Sequence, residues 1–336
     1  MLVIICNDRR RIYTKRKVFK NSNKRFLQKK VIKSLFILFV FFTVLILMES
    51  DTVYATKQNT IYQRGSGTKS VKKKVSKKTR NKYFSNSAFV GNSISKGLEM
   101  YFNSQGKGFL GNPVMLVQGS YSFANDKVAN SPYQIKYKGK RYRAKDAIAA
   151  AKVKKVFISM GTNDLWKPAS QTYKDYVQYI KGIRKKNPKV IIFIQGTTPM
   201  RNARSQKYLN NSAINELNKR MKKYCKRNKD MYYIDVSKGL KDSNGELKRK
   251  YSSDGYVHLN MNGYKIWTNN LIAYVDKLIL QEKEAEDAVK KAAKSGSMED
   301  YNIAVKLVKK LENSTKKDTL NKKLKKIYQM QNTNEE

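Results

Sequence analysis

Apolar residues between positions 85 and 280 occur in five short, unbroken runs, separated by longer stretches in which apolar residues recur at helical spacing. Compact apolar runs of this kind are typical of strands buried on both faces of a parallel sheet. Because the runs alternate with helical stretches, they predict an α/β fold with a five-stranded parallel sheet. The runs are Ala88 to Val90, Val114 to Val117, Val156 to Met160, Val190 to Ile194 and Met231 to Val236.

Two stretches show apolar residues on a single helical face, as helices that pack on a sheet require. One stretch lies between the last two strands and the other follows the last strand. The faces consist of Ile214, Leu217, Met221 and Cys225 in the first stretch, and of Tyr264, Trp267, Leu271 and Val275 in the second.

The chain from 281 to 336 is rich in Ala, Lys, Glu and Leu and again repeats apolar residues at helical spacing. This pattern predicts a helical hairpin or three-helix module, broken near Ser295-Gly296-Ser297. Its apolar faces are Ala285, Ala288 and Val289; Tyr301, Ala304, Val305, Val308 and Leu311; and Leu320, Leu324 and Ile327.

The N-terminal region has the pattern of an export signal. Residues 1–33 are crowded with Arg and Lys, and Leu35 to Met48 is almost purely apolar. The apolar run is shorter than the roughly 20 residues that span a bilayer comfortably, and Val53-Tyr54-Ala55 has the spacing of a cleavage site. We expect residues 1–55 to be a basic region with a signal peptide cleaved after Ala55, or alternatively an uncleaved anchor. Either reading predicts a secreted or cell-surface protein whose membrane contact is limited to this segment.

Residues 56–83 are polar and lysine-rich, which predicts a disordered basic linker. The remaining boundaries follow from the patterns above, with an α/β domain at 84–280 and a helical tail at 281–336. A nucleic-acid-binding arm would have a similar composition to the linker. An exported chain meets envelope polymers first, so no nucleic-acid partner is expected.

Charge and rare residues narrow the classes of function. The 336 residues include 71 Lys and Arg against 25 Asp and Glu, a formal net charge of +46. Such a field attracts polyanions, and anionic cell-envelope polymers are the expected partners. Two cysteines on opposite sides of the apolar segment provide no disulfide framework, and a single His excludes the usual zinc-ligand spacings. The sequence therefore predicts no metal.

Three polar blocks follow predicted strands, where open α/β sheets bind ligands. Ser93 follows the first strand in Gly91-Asn92-Ser93, and its alternative role is that of a helix N-cap. Asn163 follows the third strand in a Gly-Thr-Asn-Asp block, where its amide could stabilise an oxyanion or simply form a turn.

The third block contains the only histidine, His258, four residues after Asp254. On a helical turn this spacing brings both side chains to one face. The carboxylate could then orient the imidazole so that its other nitrogen accepts a serine proton. A purely structural histidine is the alternative.

The order and spacing of these blocks over about Phe84 to Lys277 resemble the SGNH, or GDSL-like, hydrolase family. The resemblance implies a flavodoxin-like three-layer fold and ester bonds as substrates. It also implies Ser93 as nucleophile, His258 as base, Asp254 as the carboxylate partner, and an oxyanion hole formed by Ser93, Gly119 and Asn163. Gly119 follows the second strand in Val117-Gln118-Gly119.

Two features depart from the family pattern. Asn92 replaces the usual Asp before the nucleophile, so a local hydrogen bond can survive while a negative charge is lost. One extra residue separates Asp254 from His258 compared with the frequent Asp-x-x-His. A backbone carbonyl could therefore orient the imidazole in place of Asp254.

The leading hypothesis is an exported serine esterase that hydrolyses an O-acetyl or other short acyl ester through a Ser93 acyl-enzyme and requires no cofactor. The expected substrate is an acylated envelope glycan. An acyltransferase would use the same residues with a glycan hydroxyl as acceptor. A noncatalytic, basic wall-binding protein is the alternative from a different class.

Overall fold

The computed structural model describes residues 74–332 of the chain. The predicted signal or anchor and most of the predicted linker lie outside these residues. No helix in the described part is long and apolar enough to cross a membrane. The helices are α1 Lys77–Phe84, α2 Ser93–Ser104, α3 Phe123–Lys127, α4 Ala144–Ala151, α5 Ala169–Lys186, α6 Asn211–Arg227, α7 Met261–Ser295, α8 Met298–Lys309 and α9 Thr315–Asn332. The strands are β1 Ser87–Gly91, β2 Val114–Val117, β3 Ile135–Tyr137, β4 Lys140–Tyr142, β5 Lys155–Ser159, β6 Ile191–Gln195 and β7 Met231–Ile234.

The central feature is a five-stranded sheet with the order β2-β1-β5-β6-β7, in which all neighbouring strands are parallel. If only these five strands are counted, the order is 2-1-3-4-5, which is the flavodoxin-like arrangement. The predicted α/β class, the five strands and the flavodoxin-like topology are therefore confirmed. The strand order reverses between β1 and β5, and ligands bind at such switch points in open α/β sheets.

An aromatic row crosses the sheet because its members occupy one register line. Phe89, Phe157, Phe193 and Tyr232 pair in register on neighbouring strands. Their rings stack with successive centroid distances of 4.9, 4.5 and 4.8 Å. The helical faces predicted from the sequence are buried with them, including Leu217 on α6 and Trp267 on α7. Together they form a single core that fixes the sheet on which the polar blocks lie.

A second, smaller core joins α7, α8 and α9. Ala285, Val289, Ala304, Val308 and Leu324 are among its buried residues, as the apolar pattern predicts. Gly296 ends α7 with a positive φ of 64°, which produces the predicted break before α8. Helix α7 itself runs without interruption across residue 280, so the boundary placed there by the sequence lies inside a continuous helix.

Two parts of the fold differ from the prediction. Helix α1 occupies residues within the segment 56–83 that the composition predicts to be a disordered linker. Ser76 caps this helix, Phe84 is fully buried, and Arg80 forms a salt bridge with Asp276 of α7. The short β3-β4 hairpin was also not predicted, because three-residue strands leave little periodicity in a sequence.

Candidate active site

Ser93 is the first residue of α2, immediately after β1. Asn92 is its N-cap: the side-chain Oδ1 accepts a hydrogen bond from the backbone N–H of Ile94 at 3.1 Å. The amide therefore preserves the local hydrogen bond that the family's Asp could form. A Cβ on Gly91 would lie 2.0 Å from Oγ of Ser95 and 2.8 Å from the carbonyl oxygen of Ser159. Only glycine allows β1 to turn so closely into α2 beside β5.

The structure brings three predicted residues into one hydrogen-bonded chain. Ser93 Oγ lies 2.9 Å from Nε2 of His258, and Nδ1 of His258 lies 2.6 Å from Oδ2 of Asp254. An ionised carboxylate can only accept, so Nδ1 carries the proton in this arrangement. Nε2 is then free to accept the Ser93 proton, which is the arrangement of a nucleophile with its general base.

Asp254 and His258 face each other across a bend of the chain and not across a helical turn, which corrects the expectation from their spacing. Oδ1 of Asp254 accepts the backbone N–H of Tyr256 at 2.8 Å and that of His258 at 3.2 Å. Gly255 has a φ of +66°, which lets the chain fold back over the carboxylate. The bend absorbs the extra residue, so the carboxylate orients the imidazole without help from a backbone carbonyl.

The local hydrogen bonds also set the charge state of Asp254. Partial burial by itself raises the pKa of this carboxyl group. Hydrogen bonds from the His258 ring and from the backbone N–H groups of Tyr256 and His258 outweigh burial and hold the pKa below its usual value. Asp254 is therefore ionised at neutral pH, as the partner of an imidazole that takes up the serine proton should be.

Contact between α2 and α7 brings the histidine block to the serine. Tyr264, near the start of α7, is 4% exposed and donates a hydrogen bond from its hydroxyl to the carbonyl of Ile94 at 2.8 Å. A Cβ on Gly97 would lie 2.0 Å from the Tyr264 hydroxyl oxygen. The missing side chain at Gly97 thus makes room for the ring that joins the two helices.

The two other predicted oxyanion donors lie on linked loops. Asn163 donates from Nδ2 to the carbonyl of Tyr121 at 3.0 Å, which ties it to the loop that contains Gly119. That bond uses one of the two amide hydrogens, and the other remains available. The backbone N–H of Gly119 has no hydrogen-bond acceptor within residues 74–332. Ser93 N–H is the first amide of α2 and has no acceptor within the helix. Their joint role as an oxyanion hole stays a prediction.

Asp164 is a site residue that the sequence did not single out. It is 0% exposed, and its Oδ1 accepts the backbone N–H of Phe123 at 2.9 Å. Its Oδ2 has no hydrogen-bond partner within the described part of the chain. Burial raises the pKa of Asp164 to about 7, since the Phe123 hydrogen bond and the charge of Lys167 offset only part of it. The hydrogen bond to Phe123 joins the turn after β5 to the start of α3. The position of Asp164 next to Asn163 is the sequence feature from which its importance could have been predicted.

A serine, a histidine and a carboxylate joined by hydrogen bonds, at the carboxyl edge of a flavodoxin-like sheet, have the arrangement of a nucleophile with its general base and the carboxylate that orients it. The model of the GDSL-like lipase/acylhydrolase family matches residues 89–266. The chain belongs to this family, and it is an ester hydrolase.

Several solved structures are similar to part of the chain at low sequence identity. A GDSL-like lipase from Bacteroides thetaiotaomicron is 17% identical, with a TM-score of 0.44 over 58% of this chain and 90% of that one. A family 3 carbohydrate esterase from Talaromyces cellulolyticus is 14% identical, with a TM-score of 0.42 over 57% and 97%. A lipolytic G-D-S-L family member from Veillonella parvula is 17% identical, with a TM-score of 0.41 over 56% and 96%. No curated protein matches the sequence.

Proposed function

We propose that the protein is an exported serine esterase that removes an O-acetyl or other short acyl group from an envelope glycan. The hydrogen-bonded chain from Ser93 through His258 to Asp254 is the observation that supports this chemistry most directly. In the first step Ser93 Oγ attacks the ester carbonyl while Nε2 of His258 takes the hydroxyl proton. The alcohol then leaves with that proton, and an acyl group remains on Ser93.

Water completes the reaction by the same route. Nε2 of His258 removes a proton from water, the hydroxide attacks the acyl-enzyme, and the proton returns to Ser93 Oγ as the carboxylic acid is released. The negative oxygen formed in each step would be stabilised by the amides of Ser93 and Gly119 and the free amide hydrogen of Asn163. The N-terminal end of α2 adds a favourable dipole at the same point.

Accessibility of the site favours a polymeric or glycan alcohol. The side chains of His258 and Asp254 are 37% and 34% exposed, so a large substrate can approach them without entering a deep channel. The net charge of +46 and the predicted export signal favour an envelope location, with anionic polymers as binding partners.

Hydrolysis of small and long esters tests the proposal. The chain from residue 56 to 336 should hydrolyse p-nitrophenyl acetate faster than a long-chain p-nitrophenyl ester. Ser93→Ala should abolish this activity and the trapping of an acyl-enzyme seen by mass spectrometry. Full activity in Ser93→Ala would refute the serine mechanism. Acyl transfer to an added sugar in preference to water would identify a transferase.

A further inference from the structure

Trp166 is exposed on the edge of the sheet at which Ser93 lies. The two tryptophans of the chain differ in solvent exposure, because Trp267 is 0% exposed whereas Trp166 is 65% exposed. Leu165, its chain neighbour, is fully buried. A tryptophan side chain has a large apolar surface, and leaving it in water forgoes the stabilisation that burial would provide. The fold gains little from Trp166 where it is.

The backbone that bears Trp166 is held firmly. The turn after β5 is closed by hydrogen bonds from the amide of Leu165 to the carbonyl of Gly161, at 3.1 Å, and from Thr172 Oγ1 to the carbonyl of Asp164, at 2.9 Å. Lys167, the next residue, forms a salt bridge with Asp175. The exposed ring therefore projects from a fixed turn.

The same turn contains Asn163, three residues before Trp166. Its strand, β5, lies beside β1, with Gly91 and Ser159 in register, so the turn borders the one that bears Ser93. Three residues span at most about 11 Å, a length comparable with one or two sugar rings. Stacking on Trp166 therefore requires that a substrate with its ester carbonyl at Ser93 extend past Asn163 by no more than this length.

The charge near the ring limits the ligand classes. The Lys167 ammonium lies 4.9 Å from the centroid of the Trp166 ring and occupies one of its faces. The salt bridge with Asp175 offsets part of this charge, and only the remainder acts against a cationic ligand at the other face. The C–H groups on one side of a pyranose ring carry slight positive charge and are attracted to the negative face of an aromatic ring. A neutral or anionic sugar therefore fits the open face.

We propose that Trp166 is a stacking platform for the pyranose ring that bears the ester, and that it makes the enzyme selective for acylated glycans. This inference rests on the proposed esterase function and specifies its alcohol. Trp166 acts by binding the sugar and takes no part in proton transfer.

Paired substrates separate sugar recognition from catalysis. We compare wild type, Trp166→Ala and Trp166→Phe on acetylated methyl glucopyranoside, p-nitrophenyl acetate and p-nitrophenyl octanoate. In Trp166→Ala, kcat/KM for the pyranoside should fall at least about tenfold relative to kcat/KM for p-nitrophenyl acetate. A tenfold loss is comparable with the energy of one stacking contact on an aromatic ring. The loss should arise mainly from a higher KM. Trp166→Phe should recover part of the loss. Tyr328→Ala, which removes an exposed aromatic ring from α9, should change neither ratio.

Fluorescence gives a readout that does not depend on turnover. Because Trp267 is buried, a ligand that stacks on Trp166 should change the exposed component of the emission. We expect acetylated methyl glucopyranoside to change the emission of Ser93→Ala and to leave that of Ser93→Ala with Trp166→Phe unchanged.

Several outcomes would overturn the platform. Equal losses on the pyranoside and p-nitrophenyl acetate would show that Trp166 only supports the turn of Asn163. Unchanged activity of Trp166→Ala on the pyranoside and on p-nitrophenyl acetate would show that Trp166 contacts no substrate. If the activity on p-nitrophenyl octanoate fell most, Trp166 would instead contact the acyl chain. A serine-dependent esterase that does not bind or hydrolyse the pyranoside refutes the platform but leaves the esterase proposal intact. Turnover that survives Ser93→Ala refutes the esterase mechanism instead.

Discussion

The turn that bears Ser93 and the bend that bears His258 are stabilised in opposite ways. The serine turn is buried: Asn92 is 2% exposed, and Gly91 permits close packing against Ser95 and Ser159. The histidine bend is about one-third exposed and is shaped by the hydrogen bonds of one carboxylate, that of Asp254. The nucleophile thus depends on packing, whereas the orientation of the base depends on local polar contacts. Different kinds of substitution should therefore disable the two.

Substitutions of Asp254 or His258 in the exposed bend should lower turnover more than any of the changes described below, while leaving the fold intact. Asp254→Asn should lower kcat for p-nitrophenyl acetate by about 10⁴-fold, as in a serine protease triad, because the amide favours the wrong imidazole tautomer. His258→Ala should lower it by at least as much. Circular dichroism should show that both variants fold. Near-normal activity in Asp254→Asn with none in His258→Ala would instead define a Ser93–His258 dyad.

Packing between α2 and α7 can be broken without touching either reacting side chain. Gly97→Ala adds a Cβ where the Tyr264 hydroxyl lies, and overpacking of this kind destabilises proteins by about 1–3 kcal/mol. We expect a lower free energy of unfolding in urea and a loss of activity, since α7 follows the His258 bend. Gly182→Ala is the matched control, because that helical glycine has no atom within 4 Å of an added Cβ. The free energy of unfolding of Gly182→Ala should be unchanged or higher by about 0.5–1 kcal/mol. Equal stability of the two variants would contradict the packing role of Gly97.

Burial of Asp164 in the turn after β5 should make the free energy of unfolding fall as the pH rises, which is opposite in sign to the contribution of Asp254, whose pKa is lowered. The pKa of the Asp164 carboxyl group is about 7 in the folded protein, above the usual value of 3.8, so the folded state binds its proton more tightly than the unfolded state does. This contribution is full below pH 4 and is lost as the pH rises to about 7. Asp164→Asn mimics the neutral acid and should remove the decline. The unfolding free energy of Asp164→Asn minus that of wild type, measured from pH 4.5 to 8, should increase with pH. A constant difference would refute this.

The smallest effect on turnover is expected from the basic segment before α1. Deleting residues 56–73 should leave hydrolysis of p-nitrophenyl acetate unchanged and weaken binding to isolated, anionic cell walls. Added salt should weaken wall binding of the full chain, because screening reduces attraction between exposed charges. A deletion that continues to residue 82 would remove most of α1 and is expected to destabilise the core as well. Wall binding that is insensitive to salt would refute the electrostatic interpretation.

Much of the fold and part of the site follow from local sequence patterns. Each of the five central strands is a compact apolar run, and the blocks of Ser93 and Asn163 come within a few residues of a strand end, so the pattern indicated both the α/β topology and the edge where these two residues lie. The His258 block lies in the long loop between β7 and α7. The three-helix tail could also be predicted from the sequence, because Ala, Val and Leu recur on its buried faces. Helix α1 could not be predicted in this way, since its packing depends on the burial of Phe84 and on a salt bridge to Asp276, far along the chain.

The sequence by itself determined which residues could perform the chemistry, because strand periodicity, turn residues and the single histidine are local properties. Only the tertiary structure decided how those residues meet. Ser93 and His258 are 165 positions apart, and the Gly97–Tyr264 contact brings them to hydrogen-bonding distance. The burial of Asp164 and the exposure of Trp166 are likewise products of packing, which no spacing along the chain encodes. Local patterns specify elements and their edges, whereas pairwise distances and burial arise only when distant elements pack together.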